Sequence, residues 1–127
     1  MGDRFNLTGD FRGSIINLKS RLENVQQSVG EIHSDDEEAR KELQKLIQQL
    51  SEALEKAPKE QKEQVEAVAE TAKALVDQAK GEKPNKTMIQ ITGEGLKQAA
   101  KNVAEVLPSV LPIAMQIVAA VGKLVGA

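Results

Sequence analysis

A chain of 127 residues has room for one domain with a real core and little more. Its 17 basic and 19 acidic side chains leave a net charge of -2, which gives no global pull towards nucleic acid. With no Trp or Tyr, two Phe and no Cys, it lacks stacking platforms for single strands, an aromatic membrane belt, disulfides and thiolate metal sites.

The first part, residues 1–33, mixes two signals. Ile15, Leu18, Leu22, Val25, Val29 and Ile32 recur in steps of three and four, as one face of a helix does. Gly9, Gly13, Asn17, Asn24 and Gly30 favour turns and extended pieces instead. The expectation is short extended or turn structure through Phe11, then a helix or a coil-like β segment to Val29. Phe11, set between Asp10 and Arg12 and bounded by glycines, reads as an aromatic anchor pressed on the helices or held out to a partner.

Residues 34–80 read as a helical hairpin. Ser34-Asp35-Asp36-Glu37 has the form of a capping box, and Asp35, Asp36, Glu37 and Glu38 suit the positive end of a helix. An apolar stripe follows through Leu43, Leu46, Ile47, Leu50 and Leu54 until Pro58 interrupts it. A second stripe, Val65, Val68, Ala72, Leu75 and Val76, is complementary to the first, so the two helices are expected to close on each other. Lys, Glu and Gln cover the remaining faces as i,i+4 pairs.

Residues 84–127 follow a Gly-Glu-Lys-Pro-Asn-Lys hinge. Thr87 to Thr92 has the size and β-branched content of one short internal strand, with Phe5 to Thr8 as its natural partner. Thr92-Gly93-Glu94-Gly95 would then be a tight strand-to-helix turn, followed by a helix from Glu94 to Leu107. Pro108 stops that helix, Ser109 is placed to cap the next, and Pro112 falls in its first turn, where a missing N–H costs nothing. The last helix is apolar nearly all round. Val110, Ile113, Ile117, Val121 and Leu124 are its candidate interface residues.

No residue set points to catalysis. His33 is the single histidine, and a helix-capping acid cluster beside it falls short of a zinc or calcium ligand set. No serine sits in a nucleophile elbow, and the paired glycines form neither a phosphate loop nor a dinucleotide fingerprint. No cofactor is expected. The run Val106 to Gly122 is uncharged but shorter than a spanning helix, and two prolines interrupt it.

The segments GDFRG, INLKSRLENVQQSVG, the KPNK hinge and GLKQAAKNVAEVLPSVLP together resemble small bacterial helical modules attached to larger signalling or defence-type proteins. That resemblance implies an accessory or adaptor role and carries no catalytic residues with it. The fold expected is therefore mainly α: a single helical bundle with an αα-hairpin, a short N-terminal extended segment and one internal strand. The function expected is a non-enzymatic interaction module that forms a homo-oligomer, or binds a protein partner, through the apolar C-terminal helix. The alternative is a membrane-active protein using residues 106–125. Lack of an apolar leader favours a cytoplasmic location, with a membrane-peripheral one as the variant, and nucleic acid is not an expected partner.

Overall fold

The computed structural model describes residues 17–126. They form five helices: α1 (residues 17–29), α2 (Glu37–Leu54), α3 (Lys62–Ala79), α4 (Lys86–Val103) and α5 (Val110–Val125), with a 3-10 turn at Lys59–Gln61 before α3. Phe11 and the expected extended segment before it lie outside the described residues. The β-like alternative for residues 17–29 is corrected by α1, whose Leu18, Leu22, Val25 and Val29 are all buried. The helical period decides over the turn-forming residues because Asn17 and Asn24 fall on the exposed face, where they displace no core contact.

Capping sets where the next helices start. Asp36, not Ser34, caps α2: its carboxylate accepts from the Ala39 backbone N–H at 2.9 Å. Ser34 stands outside the helix, its hydroxyl accepting from the Asp36 N–H at 3.2 Å while Arg40 donates to its carbonyl. Asn85 caps α4 in the same way, accepting from the Met88 N–H at 3.0 Å. The α5 helix is closed at its far end by Gly126 in the left-handed conformation (φ 75°), whose N–H reaches the Gly122 carbonyl.

The strand expected over Thr87 to Thr92 is not formed, and no strand occurs among the described residues. Those residues are the first turns of α4. Ile89, Gly93, Leu96, Ala100 and Val103 keep a single buried face along the whole helix, with Gly93 as a face position rather than a turn. Ile91, which a strand would place on the same side as Ile89, is 58% exposed against 4%. The helix propensity lost at Thr and Ile amounts to a few tenths of a kcal/mol each, less than a cap and two buried side chains return.

The expected hairpin is also corrected. The α2 and α3 stripes are buried, but α2 packs on α5, and α3 on α4, which in turn packs on α5. The reason is α1, which occupies the place between them. Its Lys19 pairs with Glu55 at 3.9 Å and its Gln26 meets Gln44 and Gln48 of α2, so these two helices run antiparallel. On the other side Arg21 pairs with Glu70 at 2.7 Å and Glu31, just past α1, pairs with Lys80 at 3.6 Å; both pairs keep one sequence offset, so α1 and α3 run parallel. The helices therefore close a ring in the order α1, α2, α5, α4, α3, around a core of Leu, Ile, Val and Ala side chains.

Candidate functional site

The C-terminal interface residues of the sequence reading are spent within the protomer. Val110, Ile117 and Val121 have no exposed surface, Leu124 retains 5%, and Ile113 packs half-buried against the same core. The helix is apolar on most sides because α2, α4 and α3 all pack on it. Its solvent-facing edge is reduced to Pro112, Met115, Gln116, Ala119 and Lys123. Among the described residues no helix is long and apolar enough to cross a membrane.

Two surface features remain. The first is a flank shared by α3 and α4. On α3 it carries Gln64, Ala67, Thr71, Ala74 and Gln78, and on α4 it carries Met88, Ile91, Gly95, Gln98 and Asn102. Each set advances by three and four residues, so each forms one row along its helix. The rows lie side by side at their middle, where a Cβ on Gly95 would stand 3.8 Å from the Thr71 methyl. None of these residues is charged. Ile91 and Met88, 58% and 45% exposed, stand proud of a bed of small side chains, and Val106, 43% exposed, lies just beyond the end of α4. This flank is hidden in the sequence because the β-branched run Thr87 to Thr92 reads as a strand. The shared spacing of Met88, Ile91, Gly95 and Gln98 was the signal for it.

The second feature is a groove between α1 and α2, enclosing about 570 Å³. Its floor is Leu22 and Ile47, both buried, and its walls are polar side chains from both helices. Ser51 opens onto it. This serine is 7% exposed and is the one buried polar residue among those described. The carboxamides nearby are loosely engaged: Gln26 Nε2 lies 3.5 Å from Gln48 Oε1, and Gln44 Nε2 donates to the Gln26 carbonyl at 3.3 Å.

Among the described residues the titratable groups lie at the surface. His33 is exposed on a shallow surface with Glu31, Asp35 and Arg40, where the guanidinium opposes a second cation. No three metal-ligating side chains come together among the described residues. Lys73 is held above its ordinary pKa by its hydrogen bond to Asp77 at 2.9 Å and by that carboxylate's charge, but both groups face solvent and form an ordinary screened i,i+4 pair. Comparison with family models, with curated proteins and with solved structures brings no match, so the shape and chemistry of these surfaces carry the functional argument.

Proposed function

We propose that this chain is a non-enzymatic helical interaction module that self-associates, and that it does so through the flank of α3 and α4 rather than the inner face of α5. The observation that carries this reading is the absence of charge along two adjacent helix rows that expose Ile91 and Met88. The solvated face of α2 and the opposite flank of α3 are dense with Lys and Glu, and the exposed edge of α5 carries Lys123. A second copy offers a matching uncharged surface, with small residues to receive the protruding side chains, and a twofold contact buries both at once. An accessory role beside a larger protein accords with the same absence of reactive groups.

Light scattering across a concentration series tests the proposal. A mass above that of the 13.7 kDa protomer is expected at high micromolar concentration. Ile91→Asp, at an exposed position, is expected to return it to a monomer while the helical signal holds and the melting temperature falls only to that of the dilute parent protein. A monomer at every concentration, or an oligomer indifferent to Ile91→Asp, overturns the reading.

A further inference from the structure

We propose that the groove between α1 and α2 binds an extended, basic peptide segment, a second activity independent of self-association. Four observations converge on it. The groove is concave and half-open, its size lies within the range of ligand sites, and it has an apolar floor beneath polar walls, the usual build of a recognition site. Its walls are acidic in balance: Glu23, Glu52 and Glu55 stand against Lys19 alone. The lysine is 60% exposed on its side chain and reaches Glu55 only at 3.9 Å, so it cancels little of that charge.

The third observation is Ser51. A helix serine or threonine commonly returns its hydroxyl to a carbonyl one turn back. Thr71 does so, donating to the Ala67 carbonyl at 2.7 Å. Ser51, although largely buried, makes no such bond among the described residues, and it lines the groove, where its hydroxyl can serve as donor and acceptor. The fourth is the carboxamide set of Gln26, Gln44 and Gln48. Each offers an N–H donor and a carbonyl acceptor, the complement of a peptide unit, and the bonds now made at 3.3 and 3.5 Å are long enough to exchange at little cost.

Charge alone would accept any polycation. The neutral groups select among them. A polyamine brings only donors, leaving the carboxamide N–H groups and the serine hydroxyl without acceptors, whereas a peptide supplies a carbonyl at every residue. Lysine or arginine side chains then reach Glu23 and Glu52 at the rims.

The test is an NMR titration of the full chain, labelled with nitrogen-15, using octalysine, spermine and octaglutamate in separate arms at low salt. Octalysine is expected to shift the side-chain amides of Gln26, Gln44 and Gln48 and the Ser51 backbone amide, with octaglutamate silent and spermine weaker by about tenfold, the worth of roughly one net hydrogen bond. The double variant Glu23→Gln/Glu52→Gln, both at exposed positions, should weaken octalysine by about tenfold without changing the melting temperature. Ser51→Ala should weaken octalysine more than spermine, whose ammonium groups can use only the acceptor side of the hydroxyl. Equal affinity for spermine and octalysine would mean that charge alone is read, and shifts away from these glutamines, or none, would mean that the groove is not the site; each overturns the proposal. Repeating the titration on Ile91→Asp separates groove binding from self-association.

Discussion

Gly93 on α4 lies directly against Val118 on α5: a Cβ built on the glycine would stand 3.0 Å from Val118 Cγ1. That is tighter than nine in ten real Cβ contacts, so Val118 would have to give by a few tenths of an ångström, and it is a β-branched side chain with little rotamer freedom. The glycine is what lets these two helices approach. Gly93→Ala should therefore destabilise the protein by about 1–3 kcal/mol, although alanine is the better helix former by about 1 kcal/mol. Chemical denaturation of Gly93→Ala, Val118→Ala and the double variant forms a cycle; additive losses would show that the contact is not responsible.

The glycine two positions on behaves oppositely. A Cβ at Gly95 meets only the Thr71 methyl, at an ordinary 3.8 Å. Gly95→Ala should raise stability by about 0.5–1 kcal/mol through the usual gain in helix propensity and the reduced freedom of the unfolded chain. Thermal melts of the two alanine variants, run side by side, should move in opposite directions.

Isoleucine positions on α4 and α5 divide the same way. Ile117 is fully buried, so Ile117→Ala should cost about 2–5 kcal/mol, and Ile117→Asp should abolish folding by enclosing an unpaired carboxylate. Ile91→Asp, on the exposed flank, should change stability by no more than about 0.5 kcal/mol at dilutions where the protein is monomeric. Circular dichroism with urea titration checks both. A folded Ile117→Asp protomer would contradict the packing of α5.

Asp36 and Ser34 can be told apart at the start of α2. Asp36→Ala removes the side-chain acceptor for the Ala39 N–H and should cost about 0.5–2 kcal/mol. Ser34→Ala leaves that cap in place and should cost less. A larger loss at Ser34 would mean that the helix starts two residues earlier, as its capping-box pattern suggests.

That case shows where the sequence was legible and where it was not. The stripes through Leu43 to Leu54 and Val65 to Val76 mark helices unmistakably, because a burial period of 3.6 has no strand equivalent. Periodicity says which face is buried but not by what. Nothing in those two stripes distinguishes a hairpin partner from a helix arriving from elsewhere, so the place of α1 between them was hidden. Thr87 to Thr92 failed for a different reason: β-branched composition was allowed to outweigh a register that becomes visible only if Gly93 is counted as an apolar face position. The candidate surfaces were least legible of all. Ile91 and Ser51 are unusual for their exposure and burial, and neither property is set by residue type.

The pairing of α2 with α5 also orders events in time. Helices α3, α4 and α5 are chain neighbours joined by short connections, so they can dock in succession with small losses of chain entropy, whereas α2, although it has α1 beside it from the start, meets α5 only after the rest of the chain has been brought together. Leu96→Ala on α4 should therefore slow refolding, while Leu50→Ala on α2 should act chiefly by speeding unfolding, and stopped-flow measurements in urea would separate the two. During synthesis the second helix leaves the ribosome early with only α1 to cover it, and the face it turns to α5 stays open to water or to a chaperone until the last helix arrives.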